Sequence, residues 1–383
     1  MRSAAHVVQI DEGSIVTRIA HGLPAWPIAA VLTAWLVMSP AGAATFVYVG
    51  NAESQDITVL ELQSNGNLAP VETMAVPGPA KPGTTSPLAV SPDRRRLYVA
   101  LRNDPNPAVT FAINARTGKL TLVGSAPLAD SMAYIATDRT GKFLLSASYF
   151  GNKVAVNPIG THGVVEPADQ ILVTDPNAHC ILTDPSNRYV LHTSLGGDVV
   201  YQQKFDAKTG KLSPNNPPTV SVKAMAGPRH LIFSPNGRFV YLLTEADASI
   251  YVFPWNRKRG TLGKVIQVES VLPKDFSGRP WAADVHITPN GRFLYASERT
   301  SSTIAAWRVD PKNGMLTAIG SYPTAKQPRG FNIDPSGHYL LSVGQLSNSM
   351  TSYAIDRKTG ELTTLKEYST GKNPNWVEIV RFP

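Results

Sequence analysis

The stretch SPNGRFVYLL (234–243) reads as a tight turn, a basic residue, then an aromatic and apolar run. Asn236-Gly237 stands where a hairpin turn needs positive φ, and the run behind it has the character of a buried strand. The unit recurs as SPDRRRLYVA (91–100), TDRTGKFLLS (137–146), TDPSNRYVLH (183–192), TPNGRFLYAS (288–297) and DPSGHYLLSV (334–343). Its basic position falls at Arg96, Lys142, Arg188, Arg238, Arg292 and His338, with spacings of 46, 46, 50, 54 and 46 residues. That is the length of one four-stranded propeller blade.

A second turn, of the form K-T-G-x-L, alternates with the first. It occurs as QSNGNLA (63–69), ARTGKLT (115–121), AKTGKLS (207–213), RKRGTLG (257–263), PKNGMLT (311–317) and RKTGELT (357–363), with THGVVEP (161–167) as a degenerate copy. Seven turns of this kind stand against six of the other, so one blade lacks its first turn. Phe46-Val47-Tyr48-Val49 reads as a second strand with no first strand before it, and Trp376 to Val380 as an inner first strand with nothing after it. The sequence therefore predicts an all-β, seven-bladed β-propeller closed by pairing of its N- and C-terminal strands and occupying residues 44–383. Closure leaves no open sheet edge.

A chain of 383 residues is long for a single core, but a propeller packs each blade only on its neighbours. Its 31 prolines and 29 glycines suit an architecture rich in turns. Ahead of the repeats, Trp26 to Met38 is apolar and Ala41-Gly42-Ala43 follows with small residues at the cleavage positions. This predicts a signal peptide over 1–43, cleaved after Ala43, and an exported protein, periplasmic or secreted. The apolar stretch is too short to span a bilayer comfortably, so no transmembrane segment is expected in the mature protein. Cys180 is the single cysteine, which rules out an intramolecular disulfide and a cysteine metal cluster. The net charge of +8 belongs to the mature part, because Arg2 and Arg18 cancel Asp11 and Glu12. Arg94, Arg95, Arg96, Arg257, Lys258, Arg259, Arg357 and Lys358 fall in turns without interleaved aromatics. A solvated face is expected there, not a nucleic-acid site.

The strand order sorts the loops. P-x-G-R turns join strands 1 and 2 and K-T-G-x-L turns join strands 3 and 4, so both lie on one face. The other face gathers the entries to the inner strands and the loops between strands 2 and 3. Aligned entries give Ser86, Ala133, His179, Arg229, Ala283, Arg329 and Asn375. Beside them come His230, Asp284, His286 and Trp376, and the strand 2–3 loops add Arg102, Tyr149, Glu245, Asp247, Glu298, Arg299 and Gln345. Cations converging on one axis repel unless an anion lies between them, and arginine holds carboxylate or phosphate bidentately. A small anionic ligand is expected. The chain has no G-x-S-x-G elbow, no H-E-x-x-H, no Walker loop and no W-D signature. His179, His230 and His286 lack metal-ligand spacing, so neither metal nor cofactor is expected.

GPRHLIFSPNGRFVY (227–241), WAADVHITPNGRFLYASERT (281–300) and QPRGFNIDPSGHYLL (327–341) resemble the propeller-type lactonases, the family of bacterial 6-phosphogluconolactonases and fungal carboxymuconate cyclases. The similarity runs from about Phe46 to the C-terminus. It implies a lactone hydrolase acting as a monomer on an anionic sugar lactone; a lactonising cycloisomerase using the same site and a non-catalytic envelope propeller are the alternatives. In the cyclase branch a His, an Arg and a Glu form the catalytic group, and the matching positions are His179, Arg229 and Glu245. His179 is the expected base, as an imidazole that titrates near neutral pH, with Glu245 orienting it and Arg229 stabilising the oxyanion. Arg329, His230, His286 and Arg299 are expected to bind substrate.

Overall fold

The computed structural model describes residues 43–383, which contain strands and turns and no helix. The predicted signal peptide lies outside the described residues except for Ala43. Seven antiparallel sheets follow one another along the chain. Six have four strands; the fourth differs in splitting its outer edge, with inner strand Pro228–Phe233, then Phe239–Thr244, Ser249–Asn256 and an outer edge of Thr261–Leu262 and Gln267–Ser270. The seventh draws its inner strand, Pro374–Arg381, from the C-terminus and the other three, Thr45–Asn51, Asp56–Leu62 and Leu68–Ala75, from the N-terminus. Tyr48 pairs with Glu378 and Val49 with Val377, as the split blade requires. Each inner strand touches the inner strand of the next blade, and the ring closes from Pro374–Arg381 onto Leu88–Val90. The Asn375 side chain fastens this joint by accepting from the Ser86 N–H at 2.9 Å.

The hydrophobic core is divided among the blade interfaces. Phe46, Tyr48 and Ile57 of the closing blade pack with Leu97, Val99 and Phe111 of the first, and each later interface repeats the pattern. This explains how so long a chain escapes the limit on a single core.

Both sequence repeats have one structural cause. In six of the seven K-T-G-x-L turns the glycine lies against the ring that opens the second strand of the preceding blade; in the degenerate copy Gly163 lies against Arg96 instead. Gly314 has φ of +77°, and a Cβ there would stand 2.5 Å from the Phe239 ring. Tyr241 then donates from its hydroxyl to the Gly314 carbonyl at 3.0 Å, as Tyr295 does to Gly360 at 2.8 Å. The repeated basic residue lies over the same ring, at 5.4 Å for Arg238 on Phe239 and for Arg292 on Phe293. These basic turns lock blade to blade.

Candidate active site

Six of the seven inner strands enter the sheet through a β-bulge, Leu88–Val90 being the exception. Pairing slips between Ala178 and Ile181, Pro228 and His230, Ala282 and Val285, and Pro328 and Gly330. A bulge re-aims side chains and leaves a backbone N–H without its ladder partner. Hydroxyls repair the loss: Cys180 N–H donates to Thr193 Oγ1 at 3.0 Å and Asp284 N–H to Ser297 Oγ at 3.0 Å.

At this end of the inner strands lies a cavity of 360 Å³ whose wall includes His179, Arg329, Arg102, Arg299, Glu245 and Tyr149. Three guanidinium groups thus face one carboxylate. Arg329 makes no side-chain hydrogen bond or ion pair to the other described residues. Burial, then the nearby Arg229 and Arg299, pushes its pKa well down. Arg102 donates to Thr85 Oγ1 at 3.0 Å and Ser131 Oγ at 3.2 Å, and burial with Arg229 pushes it down to about 10. Shifts in this direction mark cations held together at a cost that an anion would relieve.

Glu245 binds two arginines. Its Oε2 accepts from Arg229 Nε at 2.8 Å and from Arg299 Nη2 at 2.7 Å. Burial pushes the Glu245 carboxyl up, but Arg229 and Arg299 outweigh it and hold the group ionised below its usual range. Arg299 is further held by the Trp281 and Ala282 carbonyls at 3.0 Å each, and its guanidinium lies 3.9 Å from the centre of the Trp281 indole.

Behind Glu245 a buried chain supports Arg229. Its Nη1 donates to His230 Nε2 at 3.0 Å and also to the Ala283 carbonyl. His230 Nδ1 lies 2.7 Å from Asp284 Oδ1, and Asp284 Oδ2 lies 3.2 Å from His286 Nε2. Burial and Arg229 press His230 down to about 4, so it is neutral, with its proton on Nδ1 toward Asp284 and Nε2 left to accept from Arg229. His286 is pulled down by burial, but the Asp284 carboxylate prevails and raises it.

Several expectations change. Arg229 is buried and stands behind Glu245, not on the cavity wall. His230 and His286 were expected to bind substrate, but neither lines the cavity; a bulge and the alternation of the strand turn them onto Asp284. Glu245 makes no hydrogen bond to His179, because two guanidinium groups hold its carboxylate. Burial, then Arg229 and His230, depresses His179 well below the value of a free imidazole, so it does not titrate near neutral pH. Its Nδ1 is buried without a partner among the described residues. Asp247 and Glu298 are structural, accepting from Thr244 and from the Trp281 N–H at 2.7 Å. Arg102, Tyr149 and Gln345 were visible as loop residues without a role, and all three line the cavity. Thr84, Thr85 and Trp281 carried no repeat signal, since they lie in loops inserted between blades.

The family model "Lactonase, 7-bladed beta-propeller" matches residues 44–379. A 6-phosphogluconolactonase of Pectobacterium carotovorum is 41% identical over 287 residues, covering 75% of this chain and 84% of that protein. The Yersinia pestis 6-phosphogluconolactonase is 43% identical over the same length, 75% of this chain and 83% of its own. Among solved structures, the periplasmic gluconolactonase of Pseudomonas aeruginosa superposes with a TM-score of 0.81 at 25% identity, covering 89% of this chain and all of that one. Fold, repeats and sequence agree, and the chain belongs to the seven-bladed β-propeller lactonase family.

Proposed function

We propose that this protein hydrolyses a sugar lactone, an anionic one of the 6-phosphogluconolactone type in preference to a neutral aldonolactone, in the cavity where the inner strands converge. The observation that carries the reading is a cavity with Arg102, Arg299 and Arg329 facing the single carboxylate Glu245, beside an uncharged His179. In this reading Arg329 and Arg102 hold the substrate's anion. His179 takes a proton from water as the water oxygen attacks the lactone carbonyl carbon. Arg299 stabilises the oxyanion of the tetrahedral intermediate. When the ring C–O bond breaks, the proton on His179 passes to the departing alkoxide and a hydroxy acid results. An anion among the arginines offsets part of what depresses His179, so substrate makes its own base stronger.

Glu245 acts by holding Arg229 and Arg299 in place, and Asp284 and His230 act as positioning residues through Arg229. The names of the curated relatives favour hydrolysis over lactonisation. Export belongs to this reading: an apolar stretch and small residues precede Ala44, a similar structure is a periplasmic gluconolactonase, and no described helix is long and apolar enough to cross a membrane.

The test is a panel of lactones offered to residues 44–383 with ring opening followed by pH-stat. Phosphorylated and carboxylated lactones should be opened faster than neutral ones, by a margin that shrinks with added salt. Spontaneous rates across the whole panel would overturn the proposal.

A further inference from the structure

The regular repeat is interrupted by long connections at two points. Outer strands reach the next inner strand through short connections at 128–131, 174–177, 324–327 and 370–373, but through long ones at 76–87 and 271–281. The spacing of 54 residues from Arg238 to Arg292 is the sequence trace of the second. Long loops on a rigid repeat are where binding residues gather. The first brings Thr84 and Thr85 to the lactone cavity. The second walls a further cavity, of 480 Å³, with Arg279, Pro280 and Trp281.

This second cavity opens beside the first and shares Tyr149, Glu245 and Trp281 with it. Leu195, Ala246 and Thr300 complete its wall. Its charge is balanced, Arg279 against Glu245, whereas the first cavity is cationic. The loop is fixed in place: Trp281 N–H donates to Glu298 at 2.7 Å, its carbonyl accepts from Arg299, and Thr300 Oγ1 donates to the Arg279 carbonyl at 2.8 Å. Arg299 covers one face of the indole, yet the residue stays 40% exposed.

We propose that this cavity is a subsite for a second pyranose ring, joined by a glycosidic bond to the lactone, so that the substrates include disaccharide aldonolactones. The inference rests on the lactone-hydrolase reading and extends it. The C–H face of a pyranose is slightly positive and suits the negative π-face of an indole. Its ring hydroxyls can meet the Arg279 donors, the Thr300 hydroxyl and the Glu245 acceptor. An alkyl chain would instead desolvate Arg279 without pairing it. The cavity is at least as large as the one assigned to the lactone, so a ring of the same size fits.

The experiment compares glucono-δ-lactone with cellobiono-δ-lactone in the wild type and in Ala246→Trp, which fills the second cavity from an exposed loop position outside the first. The wild type should show kcat/KM about tenfold higher for the disaccharide. Ala246→Trp should bring that value down to the monosaccharide level and leave the monosaccharide rate unchanged. Equal rates for the two lactones in the wild type, unmoved by the substitution, would overturn the subsite. If neither lactone is opened, the phosphorylated and carboxylated lactones of the panel decide the hydrolase reading, and calorimetric binding of gluconate and cellobionate decides the subsite. Tighter cellobionate binding that Ala246→Trp removes upholds it, and equal binding overturns it.

Discussion

The two ends of the blades obey opposite rules. On the turn face the blades repeat one contact, a turn glycine against the ring that opens a strand in the preceding blade, as with Gly314 on Phe239 and Gly360 on Phe293. On the face where inner strands begin, the seven equivalent positions hold Ser86, Ala133, His179, Arg229, Ala283, Arg329 and Asn375. The repeated end bears the stability of the ring and tolerates little change. The other end gathers crowded cations, partly paired through Glu245 and Asp284 but with Arg329 making no side-chain bond to the other described residues. Each prediction that follows breaks one end and asks whether the other survives.

The largest effect is expected from removing Asn375 to Pro383. This deletes the inner strand of the closing blade and strips Tyr48 and Val49 of their pairing. Each uncovered apolar side chain forfeits about 1.5–3 kcal/mol, a sum comparable to the whole stability of a domain. Circular dichroism melting should show loss of the cooperative transition, and a melt within a few degrees of the full chain would refute ring closure.

At the other end, His179→Ala should lower kcat by about 10²–10⁴, the usual worth of a general base, with KM nearly unchanged and the melt preserved. A kcat within about threefold of wild type ends the assignment. The pH profile sharpens this. Burial and Arg229 lower the pKa of His179, so the unprotonated, active form persists below the usual imidazole range. The acid limb of kcat/KM should therefore lie well below about 6.5, and a limb at or above that value would contradict the geometry.

Arg329→Lys keeps the charge and loses the bidentate fork. KM for anionic lactones should rise about tenfold, or 1.4 kcal/mol, with kcat less affected. Initial rates on a carboxylated and a neutral lactone provide the check, and an equal change for both would remove Arg329 from anion binding.

Gly314→Ala is the mildest intervention. It places a Cβ at positive φ against the Phe239 ring, which should cost about 1–3 kcal/mol in urea unfolding while leaving kcat of the folded protein unchanged. A large loss of kcat without loss of stability would show that the two ends are not separable.

Much of this was legible in the residues themselves. The repeat period, the count of turns and the unmatched Phe46–Val49 and Trp376–Val380 strands determined the propeller and its closure, because local turn chemistry recurs wherever the backbone does the same thing. Strand order also determined the face that gathers His179, Arg329 and Glu245. Tertiary structure decided which of the gathered residues meet. The bulges at the inner-strand entries set the aim of each side chain, and a bulge depends on pairing with the neighbouring strand. It is pairing that turns His230 onto Asp284 and sets Arg229 behind Glu245. The pKa of His179 likewise reflects cations supplied by several blades. Loops 76–87 and 271–281 break the period, so the repeat could mark their length but not their fold. A repeat encodes what each blade shares; a site is made of what the blades do not share, brought together by closure of the ring.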